Sequence, residues 1–143
     1  MLHGHGDDLH TCGQTIRANF SSNIFATTDL SALQQHLSAY LSVIGHYPEP
    51  EPYALESLWA DSLGLLPAEI CVTNGATEAI YLTAQAFRGA TSYIRQPTFS
   101  EYADACRMHG HSVRSLFTDD AIDDTPDLVW LCNPNNPTGE VRD

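Results

Sequence analysis

The sequence predicts an α/β fold, three α/β/α layers with a mostly parallel sheet, and three observations carry the prediction. Short β-type runs alternate with helical segments of about ten residues, the pattern of βαβ units. Asn-Gly, Gly or Pro stands at most changeovers, where the chain must turn. The run "LVWLC", residues 128–132, is apolar without alternation, as expected of a central strand covered on both faces.

Residues 1–30 are polar, rich in His, Ser, Asn and Thr, and hold no sustained period, so they are assigned to an N-terminal arm. From Asp29 the spacing of Leu33, Leu37, Tyr40, Leu41 and Ile44 predicts a helix, with Asp29 or Ser31 as its N-cap. "GHYPEPEPY", residues 45–53, carries three prolines and predicts an extended loop. A second helix places Leu55, Leu58, Trp59 and Leu63 on one face and stops near Gly64. Residues 70–73 are expected as a short strand ending at Asn74-Gly75, followed by a helix through Ala76, Ala79, Ile80, Ala84 and Phe87. "TSYIRQP" predicts a strand, "TFSEYADACRMHG" a helix closed by Gly110, and "SVRSLF" a further strand.

Composition bounds the function. The chain has 143 residues, 43% hydrophobic and 17% charged, which suits one globular domain with its own core. The net charge of −12 repels nucleic acid and anionic lipid, so neither is expected as a partner. No apolar stretch is long enough to span a bilayer, and "MLHGHGDD" lacks the basic and apolar regions of a signal peptide. Cys12, Cys71, Cys106 and Cys132 are widely spaced, which reads as buried thiols in a reducing, cytoplasmic setting. All six basic residues counted with Lys and Arg are arginine, so no side chain here forms an imine with a carbonyl compound.

Four motifs hold candidate chemistry. In "TNGATEA" Gly75 permits a sharp turn, and the amides of Ala76 and Thr77 open a helix whose positive end suits a phosphate. An ordinary turn and N-cap is the bland alternative. "PTFSEY" follows a strand and places Phe99 where an α/β sheet gathers ligands, with a ring able to lie on a flat heterocycle. Tyr102 reads as a core contact of the following helix. "NPNNPTG" sets Asn136 between Pro134 and Pro137, whose Xaa-Pro steps favour extended backbone and present its amide for a hydrogen bond. Tyr47 precedes the stiff proline segment, which could reach a neighbouring subunit or form a plain surface loop.

His3, His5, His10, Asp7 and Asp8 match no metal-ligand spacing, and no metal site is assigned. His109 and His111 flank Gly110 at a helix end and are read as capping groups.

Taken in order, "YPEPEPYAL", "VTNGATEAIYL", "PTFSEY" and "NPNNPTG" resemble the N-terminal half of fold-type-I pyridoxal-phosphate enzymes, within the class I/II aminotransferase superfamily. The resemblance spans nearly the whole chain and makes residues 31–143 part of the large, cofactor-binding domain. It implies pyridoxal 5'-phosphate as cofactor, with Gly75, Ala76 and Thr77 at its phosphate, Phe99 stacked on its ring and Asn136 at its phenolic oxygen. Tyr47 would reach the phosphate bound by the second subunit of a homodimer.

Two branches are similar: threonine-phosphate decarboxylases of cobalamin biosynthesis and histidinol-phosphate aminotransferases using 2-oxoglutarate. "HGHGDD" and "NFSSNI" resemble the decarboxylase arm, which implies that His3 and Asn23 grip a phosphorylated amino-acid substrate. His5, a short arm and the lack of a proline after Ile24 depart from that pattern. The family's anchoring lysine and carboxylate-binding arginines follow "NPNNPTG", so the resemblance implies a portion of an enzyme that is inactive alone. The contrasting expectation is a non-enzymatic binding module of this length, against which an exposed final strand weighs.

Overall fold

The computed structural model describes residues 13–25, 27–117, 120, 122 and 124–142. The chain divides into two compact units, one running to Val72 and the other from Thr73 onward.

In the first unit, residues 13–30 form no helix or strand among those described. Helix α1 spans Ser31–Ala39 and is followed by a 3-10 turn over Leu41–Gly45, so the single helix expected from Asp29 to Ile44 divides at Tyr40. Leu30 occupies the N-cap position, yet the Asp29 carboxylate accepts the Ser31 amide proton at 2.9 Å and satisfies one open donor. Helix α2 spans Tyr53–Leu63, with Gly64 in the left-handed region at φ 69° as its C-cap. The segment 70–73 does not form the expected strand. Ile70 has extended dihedrals, but among the described residues no neighbouring strand accepts its backbone groups, and extension without a ladder is not a strand.

The second unit holds the α/β core. Helix α3 spans Gly75–Ala86, β1 Thr91–Arg95, α4 Glu101–Met108, β2 Ser112–Leu116 and β3 Leu128–Trp130. The sheet is parallel in order β2-β1-β3, pairing Tyr93 with Arg114 on one side and Val129 on the other. The apolar run at 128–132 is thus an edge strand with Val129 and Leu131 about half exposed, and the central strand is β1. Burial follows position: β1 is paired on both sides and buries Ser92, Tyr93 and Ile94, while β3 contributes three residues to one side only.

Helices α3 and α4 pack together, and α4 rests on β1 and β2. Ile80, Ala84 and Ala105 form the core between them, flanked by Tyr81, Phe99, Tyr102 and Trp130. Tyr102 therefore packs where the sequence placed it. His111 does not cap α4. It is buried, with Nε2 on the Ala84 carbonyl and Nδ1 on the Ser92 hydroxyl, both at 2.8 Å. A carbonyl only accepts, so Nε2 carries the proton and Ser92 donates to Nδ1. Ser92 in turn accepts from the Trp130 indole at 3.3 Å, linking β1, β3, α3 and the start of β2. Of the cysteines, Cys106 is buried, Cys132 half-buried and Cys71 exposed, so the expectation of buried thiols fails at Cys71; Cys12 lies outside the described residues. Cys71 lies within the segment 70–73 that lacks a strand partner, which leaves it uncovered.

Candidate functional site

The carboxyl ends of β1 and β3 share one edge of the sheet because the strands are parallel. The loop after β1 carries Phe99, and the loop after β3 carries Asn136. The start of α3 reaches the same edge. Tyr81 hydrogen-bonds Glu101 at the start of α4, whereas Ala84 meets His111 just beyond its end and Gly89 donates to the His109 carbonyl. The two helices therefore run the same way, and α4 begins at the carboxyl edge. Sheets of this kind collect ligands there.

At the start of α3, Gly75 has φ 82°, a conformation that disfavours any Cβ, although the space beside it is open. The Asn74 amide donates to the Glu78 carboxylate and the Gly75 amide to the Thr73 carbonyl at 2.9 Å. The next two amides, of Ala76 and Thr77, have no hydrogen-bond partner among the described residues, and both residues are exposed. Helix geometry makes such amides an anion cradle, and the positive φ lets the chain enter it without crowding.

Phe99 is half-buried against the α3–α4 core and meets Tyr102 edge-on, with centroids 6.4 Å apart. Tyr102 leans on Trp130 at 5.5 Å. Burial, reinforced by a hydrogen bond to Cys132, pushes the Tyr102 hydroxyl up to about 12. Tyr81 is likewise raised to about 12, first by burial and then by its bond to Glu101. Glu101 and Asp104 are both buried in the first turn of α4, where carboxylates suit the helix dipole, and Asp104 also meets Arg107 at 3.5 Å.

The segment 133–138 bends and turns where its two Xaa-Pro steps favoured an extended path. Its own hydrogen bonds account for this: the Gly139 amide donates to the Asn135 carbonyl at 2.7 Å, and the Asn135 side chain reaches Thr138 at 2.8 Å. Asn136 is half-buried, and its backbone N–H donates to the Cys132 sulfur at 3.4 Å. A hollow of about 30 Å³ opens between the loops, lined by Arg95, Gln96, Cys132, Asn135, Glu140 and Arg142 among others. Thr77, Phe99 and Asn136 lie outside that lining.

Tyr47 belongs to the other unit, is fully exposed, and stands beside a shallow hollow formed with Ile44, Gly45 and His46. Asn23 is exposed. His3, with the acidic and histidine cluster around it, lies outside the described residues. Among those described, no three His, Cys, Asp or Glu side chains converge as metal ligands, and no helix is long and apolar enough to cross a membrane.

Sequence reasoning passed over Asn135, Glu78 and Cys132. Asn135 lies with Asn136 between the same two prolines, Pro134 and Pro137, and Glu78 stands four residues after the Asn74 whose amide it holds. Those spacings were the available signals.

Comparison with known proteins follows the same lines. The family described as aminotransferase class I and II matches residues 16–143. L-threonine-O-3-phosphate decarboxylase from Porphyromonas gingivalis superposes with a TM-score of 0.77 at 41% identity, over 85% of this chain and 38% of that one. Histidinol-phosphate aminotransferase 1 of Bacillus thuringiensis subsp. konkukian is 30% identical over 72% of this chain and 31% of its own length. The corresponding enzyme of Anoxybacillus flavithermus is 29% identical over 75% and 32%. The chain thus spans about a third of the length of the curated relatives it matches.

Proposed function

The chain belongs to the class I and II aminotransferase family, a family of pyridoxal-phosphate enzymes, and from that premise we propose that it supplies the cofactor-binding part of a decarboxylase acting on threonine phosphate. The observation that carries this reading is the 41% identity over 85% of the chain to the Porphyromonas decarboxylase.

The residues of the carboxyl edge suit the group. The amides of Ala76 and Thr77 would hold its phosphate, with the Thr77 hydroxyl as a further donor and Gly75 giving the approach. Phe99, packed edge-on against Tyr102, would stack on the ring. Asn136 would donate to the ring's phenolic oxygen. When bound, pyridoxal phosphate withdraws the electrons of a bond broken at the substrate's Cα. This chain contributes grip and orientation. It holds no lysine, so the covalent anchor belongs to the remaining length that the relatives have.

His3 and Asn23 are assigned to the phosphate of a small phosphorylated amino acid. Tyr47 is assigned to the cofactor phosphate of a second subunit in a homodimer, for which its full exposure leaves room. Residues 1–30 serve as the arm and 31–143 as the partial large domain. A cytoplasmic place and a role toward cobalamin accompany the decarboxylase reading.

Transamination of histidinol phosphate with 2-oxoglutarate is the second reading, favoured by the names of the curated relatives at about 30% identity. Both readings use the same cofactor grip and differ in the substrate that the complete protein would accept. The complete gene product, incubated with pyridoxal phosphate and threonine phosphate, is expected to release carbon dioxide. Consumption of 2-oxoglutarate with histidinol phosphate instead would reverse the order. A protein that neither binds the cofactor nor turns over either substrate would leave the binding-module reading standing.

A further inference from the structure

We propose that Asn135 is a positioning residue that fixes the loop carrying Phe99 against the loop carrying Asn136, and so sets the spacing of the two groups that flank the cofactor ring. The inference rests on the cofactor reading above.

Its side chain joins segments that are remote in sequence. Nδ2 donates to the Pro97 carbonyl at 2.9 Å and to the Thr138 hydroxyl at 2.8 Å, while Oδ1 accepts the Thr98 hydroxyl proton at 2.9 Å. The Pro97 carbonyl only accepts, so it dictates which way the amide faces; the Thr98 and Thr138 hydroxyls then adapt. Both amide protons and one of the two acceptor sites are thereby committed. The backbone is held as well: the Asn135 amide donates to the Glu140 carbonyl at 2.8 Å, and its carbonyl accepts from Gly139 at 2.7 Å. Asn135 is therefore rigid within its own loop while it grips the other.

Pro97 and Thr98 directly precede Phe99, and Asn136 directly follows Asn135. Any slack at this contact displaces the aromatic ring and the amide relative to each other. Ligand geometry of this kind tolerates only small errors. Cys132 supports the same loop by accepting the Asn136 backbone amide, and among the described residues it makes no hydrogen bond to 97–98.

The test uses the full 143-residue chain, three single variants and one double. Asn135→Ala removes the clamp. Asn135→Asp keeps the size but turns a carboxylate oxygen toward the Pro97 carbonyl. Both are expected to weaken pyridoxal-phosphate binding about tenfold, the effect of losing one to two net hydrogen bonds. Affinity for inorganic phosphate, which reports on the start of α3 alone, is expected to change by less than about twofold. Because Asn135 acts by holding Phe99 and Asn136 relative to each other, the loss from Asn135→Ala combined with Asn136→Ala should be smaller than the sum of the two single losses. Hydrogen exchange should quicken in both 97–100 and 133–140 in the Asn135→Ala variant.

Equal losses of phosphate and cofactor affinity, additive substitutions, or exchange that changes in neither segment would each overturn the proposal. A wild-type chain that does not take up pyridoxal phosphate would remove the cofactor reading. The clamp is then judged by exchange alone, supported by quickening in both segments and overturned by its absence.

Discussion

The two units use similar sequence signals and reach different degrees of closure. From Thr73 onward, β1 has partners on both sides, and Ile80, Ala84, Tyr93, Ile94, Ala105, Cys106 and Leu116 are buried. In the unit ending at Val72, α1 and α2 have caps and apolar periods of equal clarity, yet Ala60 is the buried residue among those described, and Leu33, Leu37, Leu58, Trp59 and Leu63 are more than half exposed. A cap and a helical period are local properties. Burial needs a second surface, and the parallel sheet supplies one to its own helices.

The sharpest way to break this contrast is to cut a side chain from each unit. Ile94→Ala, at a fully buried position, is expected to destabilise the chain by about 3 kcal/mol in urea unfolding. Leu58→Ala, 65% exposed, should change it by no more than about 0.5 kcal/mol. Comparable losses would mean that the first unit is as well closed as the second.

Ser92→Ala comes next. It removes the buried hydroxyl that donates to the His111 Nδ1 and accepts from the Trp130 indole, a loss of about 2 kcal/mol visible in the melting temperature and the tryptophan fluorescence. Gly75→Ala meets no clash, so its effect is the backbone cost of φ 82°, a loss of about 1 kcal/mol read in urea unfolding.

Tyr81 and Tyr102 are acids whose ionisation is raised by burial from the ordinary 10 to about 12. The folded state holds their protons more tightly than the unfolded chain, so the stability they confer is full below pH 10 and is lost as pH rises through 12. Phenolate absorbance should show a late step that Tyr81→Phe diminishes. The smallest effect belongs to the first unit. Asp29 is lowered from 3.8 by its bonds to Ser31, so its support of α1 is present above that value and fades as pH falls through the lower folded one. Slight loss of helical circular dichroism in acid, absent in Asp29→Ala, checks it.

Much of the fold is legible in the sequence because its signals are local. Gly64 and Gly110 end their helices, and the alternation of strands with helices gives the parallel sheet. What misled was non-local. "EICV" looks like a strand and has no ladder partner, and "LVWLC" looks central yet pairs on one side, since composition does not report who lies alongside. His111 stands at a helix end in sequence and deep in the core in space. Around the candidate site, Gly75, Phe99 and Asn136 stood out by residue type and motif. Asn135 did not, because its partners lie some forty positions away, at Pro97 and Thr98.

The central claim is that the start of α3, the loop after β1 and the loop after β3 hold one cofactor together. Titrating the chain with pyridoxal phosphate tests it most directly. The account predicts saturable binding, competed by inorganic phosphate, weakened by Thr77→Ala, Phe99→Ala and Asn136→Ala alike, and without the absorbance of a lysine imine. Binding that ignores all three substitutions, or no saturable binding at all, would contradict it.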